Sequence, residues 1–491
     1  MLGHAVKKIL LRSLLYPHRL LPAALKRHGS GAAFGNGCTF AALLDRARRL
    51  AGHWASRGVR PADPVLIDLP NDPAFVEARV AGILGGLVAV PVPPGTPDDR
   101  LGWMAEFCGA RTYLGTRPGV LPGLDALSLE PVAGDRGAYE AALAGAAPLS
   151  ATPGIRGDSL ITINFTSGTT GDPKGVMGTA AGWGWSLYYS LAENKVPLEP
   201  GEVILHALPL STAGSGLILP AVLSGAKSLF LPAWDAEVAA KMVEKERVTR
   251  LFLTPTLLAE FVDAVRRGRR DTRSLRAVVY GTEAIPVARV RRAVGVLGPV
   301  LQQGYGMAEA LPPVSLLHQA EHAAALRDGD EEVLASTGRP TGAVDLRIFG
   351  PGGEVLEAGC AGSIRLRGRT VSPGYWRRPD LTEASRSGGF YVTGDVGFLD
   401  GRGYLHVLGR EGALPSASAR RWVEWAEARP EVCLAWVQEG TGGPTLHVVP
   451  AGGAEAEAVV REAVQGAAGE LAAFALHAQP PRTPSYKLRL V

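Results

Sequence analysis

From about Leu160 the chain alternates between short apolar runs and longer stretches with helical spacing. LITINF (Leu160 to Phe165), VILHAL (Val203 to Leu208), KSLFL (Lys227 to Leu231), RLFL (Arg250 to Leu253) and RAVVYG (Arg276 to Gly281) predict buried strands. Between them, AWDAEVAAKMVEKERV and PTLLAEFVDAVRR predict helices. Strands joined by helical crossovers imply parallel sheets covered on both faces, with ligands gathered beyond the carboxyl ends of the strands. A loop rich in small polar residues, FTSGTTGDPKG from Phe165 to Gly175, follows LITINF and so falls at such a place.

From Val344 the period changes. VDLRIFG, SIRLRGR, FYVTGDVGFLD and GYLHVLG alternate in twos with glycine-rich turns, which predicts antiparallel sheet. After Arg410 come a loop (EGALPSAS), a helix (RRWVEWAEA), two strands (VCLAWVQ and TLHVVP), a long helix and a short tail, the element order of a small α+β domain. The expected architecture is therefore a large N-terminal α/β domain, residues 1–409, with doubly wound sheets and a small β-rich subdomain. A small α+β C-terminal domain, residues 410–491, follows it.

The amino terminus mixes Lys7, Lys8, Arg12, Arg19, Lys26 and Arg27 with leucines at helical spacing. It reads as a helix packed on the domain behind it rather than as a membrane-surface segment, because amphipathic helices of globular proteins face a core. Pro17 and Pro22 are expected to break it. No apolar run reaches membrane-spanning length, and none leads into a small-residue cleavage site, so neither a transmembrane segment nor a signal peptide is expected.

Composition narrows the class. With 46% hydrophobic and 20% charged residues in 491, the chain is an ordinary globular protein, and a formal charge of +4 gives no argument for a nucleic-acid partner. Cys38, Cys108, Cys360 and Cys433 are far apart and form no CxxC pair, which fits a reducing cytoplasm and offers no metal framework.

A glycine-rich turn leaving a strand presents backbone N–H groups that attract phosphate oxygens, and here Thr166, Ser167, Thr169 and Thr170 add hydroxyls and Lys174 a charge. The nucleoside-triphosphatase loop does not fit. Pro173 stands where that motif needs its second glycine, and Gly175 where it needs Ser or Thr. A phosphate cradle and a polar surface turn both remain open on these residues alone.

Five further stretches decide between them. FTSGTTGDPKG, followed in order by YGTEAIP from Tyr280, QGYGMAE from Gln303, YVTGD from Tyr391, LGR ending at Arg410 and PRTPSYK ending at Lys487, resembles the AMP-forming adenylating enzymes, the superfamily of acyl- and aryl-CoA synthetases, adenylation domains and luciferases. The similarity runs from about Thr39 to the last residues. It implies joining a carboxylate to the α-phosphorus of ATP with loss of pyrophosphate. Two anions must meet, so charge and fixed geometry are what the protein supplies.

By this resemblance the β- and γ-phosphates fall to Thr166, Ser167, Gly168, Thr169, Thr170, Gly171 and Lys174. Tyr305 lies against adenine, Gly281, Thr282 and Glu283 form the opposite wall, and Gly306 and Met307 complete the nucleotide site. Glu309 matches the carboxylate that helps hold Mg²⁺, Asp395 the acid that binds the ribose hydroxyls, and Arg410 the base at the hinge. Lys487 matches the lysine that bridges the reacting oxygens and leaves when the small domain rotates; Thr166, Glu309 and Lys487 are the catalytic candidates. Thr212, Gly216, Gly281, Gly304 and Met307 are placed around the acid, where the glycines also have a plain packing explanation.

Four departures stand out. Ala308 replaces a threonine that donates near the α-phosphate. Thr212 stands where thioester-forming relatives carry a histidine or other aromatic, and neither Ser211 nor Thr212 offers the charge that pairs with an α-amino group. The loop after LGR lacks the lysine and glycine signature, leaving Glu411 as hinge candidate. Tyr486 replaces the glycine before the catalytic lysine. Adenylation is thus better supported than transfer to CoA. The leading expectation is activation of a small carboxylic acid, followed by transfer to a thiol, CoA or a carrier protein. The alternatives are another nucleophile such as an amine or activation of an oxyanion such as nitrite, as in specialised biosynthetic branches of the family, and a nucleotide-binding homologue without turnover. Joint presence of Lys174, Glu309, Asp395, Arg410 and Lys487 argues against the last.

Overall fold

The structure, a computed structural model, describes residues 17–121, 123–128, 137–166, 174–192, 196–412, 414–438, 444–452, 454–466, 473–483 and 486–488. Of the candidate site, Ser167, Gly168, Thr169, Thr170 and Gly171 lie outside these.

Two sheets with helices between and around them form the large domain. The first has six strands in the spatial order Asp125–Ser128, Thr112–Gly115, Pro64–Asp68, Val88–Pro91, Leu160–Thr166 and Lys174–Thr179. All neighbours are parallel except the last pair. The phosphate-loop candidate therefore joins two antiparallel strands and is not a strand-to-helix crossover. The strand Lys174–Thr179 escapes the periodicity because KGVMGT has glycines where alternation would place side chains.

The second sheet runs Arg339–Pro340, Ala310–Leu317, Leu301–Met307, Ala277–Gly281, Arg250–Leu253, Val203–His206 and Lys227–Phe230. Its last five strands are parallel neighbours, as expected of crossover connections, and Ala310–Leu317 turns back antiparallel onto Leu301–Met307. The helix Pro73–Gly85 is buried at every residue from Ala74 to Leu84, which fits an element enclosed on all sides. Asn71, just before it, is buried, and its amide donates to the carbonyls of His206, Leu208 and Leu231 while accepting from Leu210 N. One side chain thus pins the LPLSTAG loop of the second sheet to the end of the first.

The amino-terminal expectation needs one correction. Pro22 lies inside the helix Pro17–His28 and does not end it. The lost hydrogen bond falls in the second turn, where Leu21 and Leu25 are fully buried against the helix Phe40–Ser56, and this burial offsets the loss. Residues 1–16, with Lys7, Lys8 and Arg12, lie outside the described residues, and the described part of the helix begins at Pro17.

The β-rich subdomain is a five-stranded antiparallel sheet built from Val344–Phe349, Gly362–Gly368, Phe390–Leu399, Arg386–Ser387 and Leu405–Arg410. The small domain pairs Val432–Gln438 with Thr445–Pro450, adds the helices Ala417–Glu427 and Ala454–Gly466, and has its own apolar core around Leu446, Val448 and Val460. Its third strand, Ala473–Leu476, lies parallel to Thr445–Pro450 in what the sequence presents only as a tail.

Candidate active site

The strand Leu301–Met307 carries Tyr305 toward the subdomain, and a register shift between Tyr305 and Met307 re-aims the chain before the turn that bears Glu309. Tyr305 Oη donates to Asp395 Oδ2 at 2.6 Å. Burial, then the Asp395 charge, pushes the phenol well above its ordinary value. Asp395 pairs in register with Arg410, whose Nη1 lies 3.3 Å from Asp395 Oδ1 and donates to Thr393 O at 2.6 Å. Between them Gly394 has φ +74°, and a Cβ there would stand 3.1 Å from Arg410 Nη1, so glycine suits both the backbone and the guanidinium.

Glu309 accepts from Tyr375 Oη at 3.1 Å, and Tyr375 is itself 3.5 Å from Tyr391 Oη. Lys174 Nζ sits 5.4 Å from the centre of the Tyr375 ring. Because Lys174 pairs with Thr166 across the hairpin, Tyr375 links the end of the phosphate-loop candidate to Glu309. Burial and the Glu309 charge raise its phenol to about 12, so it remains a donor at neutral pH. Tyr375 was not foreseen: a tyrosine in SPGYW has no local signal, and its neighbours come from distant segments.

Lys487 is partly buried. Desolvation lowers its ammonium below the ordinary value, Glu283 raises it, Arg410 lowers it, and Asp395 and Glu309 raise it in turn. Its ammonium thus feels the charges of four candidate residues, Arg410 among them. Glu283 is committed more firmly than a nucleotide wall requires. Its Oε2 accepts from Thr256 N at 3.2 Å and Thr256 Oγ1 at 3.0 Å, and its Oε1 accepts from Leu488 N. Thr282 beside it has φ +76°, rare for a β-branched residue, and its buried hydroxyl has no protein partner. A strained residue holding an unpaired hydroxyl fits a site that completes its hydrogen bonding with a ligand.

Around the acid-pocket candidates, Gly281 and Gly304 are register partners, and a Cβ on Gly281 would meet Gly304 O at 2.2 Å. Gly281 is thus required by strand packing. At Gly304 a Cβ meets only Leu316 at 3.8 Å, and at Gly216 nothing within 4 Å, so these two leave space. Thr212 Oγ1 donates to Pro209 O, and Met307 packs on the subdomain core with Ala310 and Val314. Glu411 is exposed, with its N–H held by Gly394 O at 2.9 Å.

A doubly wound large domain, a small α+β domain that follows it, and the tyrosyl, acidic and arginyl groups gathered at Tyr305, Asp395 and Arg410 are the arrangement of an AMP-forming ligase. The profile of the AMP-binding enzyme family matches residues 23–376, and the chain belongs to that family. It is 34% identical over 405 residues to a feruloyl-CoA synthase of an Amycolatopsis species, covering 81% of this chain and 77% of that protein. Its fold is that of the anthranilate CoA ligase AuaEII solved with anthranoyl-AMP, at TM-score 0.80 and 20% identity over 96% of this chain and 95% of the other. It is likewise that of the amide bond synthetase McbA of Marinactinospora thermotolerans, at TM-score 0.77 and 24% identity over 96% and 98%.

Proposed function

We propose that this chain joins an aromatic or arylpropenoic acid to the α-phosphorus of ATP and passes the acyl group to a thiol, CoA or the phosphopantetheine arm of a carrier protein. One carboxylate oxygen bonds to the α-phosphorus as the bond to the bridging oxygen of pyrophosphate breaks. The observation that supports the reading most is the hydrogen bond from Leu488 N to Glu283 Oε1, which ties the backbone next to Lys487 to the large domain. The names of the relatives point to this class of acid.

In this reading Lys487 neutralises the carboxylate and α-phosphate oxygens as they approach. Asp395 binds the ribose hydroxyls and is oriented by Tyr305 and Arg410. Thr166 and Lys174, with Ser167, Gly168, Thr169, Thr170 and Gly171, hold the outer phosphates; Thr282, Gly306 and Met307 line the nucleotide. Glu309, oriented by Tyr375, would hold Mg²⁺. Mg²⁺ takes oxygen ligands, and one carboxylate with phosphate and water oxygens would meet that requirement. Bound there, Mg²⁺ supplies neutralisation of the phosphate charge.

The divergent loop after Arg410 supports a second reading in which the adenylate is taken by an amine or another non-thiol nucleophile. The reading places the chain in the cytoplasm; among the described residues no helix is long and apolar enough to cross a membrane. Incubation with ATP, Mg²⁺ and a panel of benzoic and cinnamic acids tests it. AMP release that depends on CoA or a carrier thiol supports the first reading, release with an amine but no thiol supports the second, and none with any acid refutes both.

A further inference from the structure

Tyr486 stands next to Lys487 with φ +60°, a conformation that glycine adopts freely and a bulky residue holds only where its surroundings over-determine it. Three contacts do so. Its phenol oxygen accepts from Trp234 N at 3.1 Å, its carbonyl accepts from Thr254 Oγ1 at 3.1 Å, and its ring packs on the core of the second sheet. Thr254 is also the N-cap of the helix Pro255–Gly268, accepting from Leu257 N, so the tail is tied to a rigid element. Within the tail, Tyr486 N donates to Thr483 O, Lys487 N to Thr483 Oγ1, and Thr483 N to Lys487 O, closing a tight turn. Glu260 ties the same turn down by accepting from both Trp234 Nε1 and Arg482.

A glycine would supply this backbone angle without strain and make none of the side-chain contacts. We propose that Tyr486 is the positioning residue of Lys487: it latches the C-terminal tail to the large domain, fixes the lysine for adenylate formation and opposes departure of the small domain. This rests on the adenylation reading above. Its consequence is a specificity in the order of events, with the first half-reaction favoured and the second gated by release of the latch.

Two variants of the full chain test it. Tyr486→Phe removes one hydrogen bond and keeps the ring, and Tyr486→Gly removes every side-chain contact while suiting the backbone. Acid-dependent pyrophosphate exchange is expected to fall about three- to tenfold in kcat for Tyr486→Phe and further for Tyr486→Gly, with KM for ATP within about twofold in both. Without substrate, deuterium uptake is expected to rise in the strand Val432–Gln438 and the helix Pro255–Gly268, which meet at the domain interface around Ala259 and Trp436. Unaltered uptake in both variants overturns the latch, as does an exchange rate equal to that of the wild type. Absence of exchange in the wild type with every acid overturns the adenylation reading instead, and the uptake measurement then decides the latch alone.

Discussion

The hydroxyl of Tyr305 and the carboxylate of Asp395 meet at 2.6 Å, although 90 positions separate them in the chain. One comes from the edge of the parallel region of the second sheet, the other from the β-rich subdomain. Their contact joins the two units that enclose the nucleoside in the proposed reading. Asp395→Ala is expected to raise the Kd for ATP by roughly 10- to 100-fold, the loss of one or two hydrogen bonds to a charged acceptor. Tyr305→Phe, which spares the ring, is expected to cost about tenfold or less. Isothermal titration with ATP and Mg²⁺ checks both.

Alkaline pH probes the neighbours of Lys487. Burial lowers its ammonium from the ordinary 10.5, and Glu283 opposes that shift. The active form is charged, so pyrophosphate exchange is expected to decline on an alkaline limb whose midpoint lies below 10.5. Removing the negative charge in Glu283→Gln lowers the ammonium further and moves the limb to still lower pH. A pH profile of kcat/KM for the wild type and this variant measures the displacement, and a limb that moves upward contradicts the assignment.

Acid should weaken the fold through two buried histidines. Burial brings His206 and His322 down to about 4, whereas in the unfolded chain both titrate near 6.5. Their contribution is complete above about pH 6.5 and is lost as pH falls from there toward 4, because only the unfolded chain then takes up the protons. Each is worth on the order of 3 kcal/mol. Thermal unfolding between pH 7.5 and 4.5 should show a falling Tm, and the fall should be smaller in His206→Gln.

The domain interface contains a buried ion pair. Arg289 of the large domain donates to both oxygens of Glu427 of the small domain, and their side chains are 6% and 0% exposed. Glu427 Oε1 also accepts from Ala435 N at 2.8 Å. Arg289→Met removes the cation that donates to both carboxylate oxygens and leaves Glu427 only Arg292, whose Nη2 lies 3.7 Å from Oε2, an expected cost of about 3 kcal/mol or less. Limited proteolysis should then cut the chain faster near residues 411–416, with the large domain surviving.

How much of this was legible in the sequence depends on the range of the interaction. Period-two and period-3.6 patterns report local burial, so the strands that begin at Leu160, Val203, Lys227, Arg250 and Ala277 and the four long strands of the sheet after Val344 are readable to within a residue or two. Pro22 was misread because its penalty is local while the burial of Leu21 and Leu25 that offsets it is not. The hairpin strand Lys174–Thr179 and the small domain's third strand were missed because glycine or alanine occupies positions where a hydrophobic signal would stand. Motifs single out Tyr305, Glu309, Asp395, Arg410 and Lys487 as candidates, yet Tyr375, Trp234, Thr254 and Glu260 act through partners up to 252 positions away, and no local pattern encodes such contacts.

Replacement of one amino group tests the central claim most directly. Pyrophosphate exchange into ATP is followed with Lys487→Ala, using an acid that supports exchange in the wild type, and ATP binding is measured in parallel. Loss of exchange by a factor of roughly 100 or more with the Kd for ATP within about threefold is the predicted result. Exchange at the wild-type rate would contradict the account, because the adenylate would then form without the group that the small domain carries into the site.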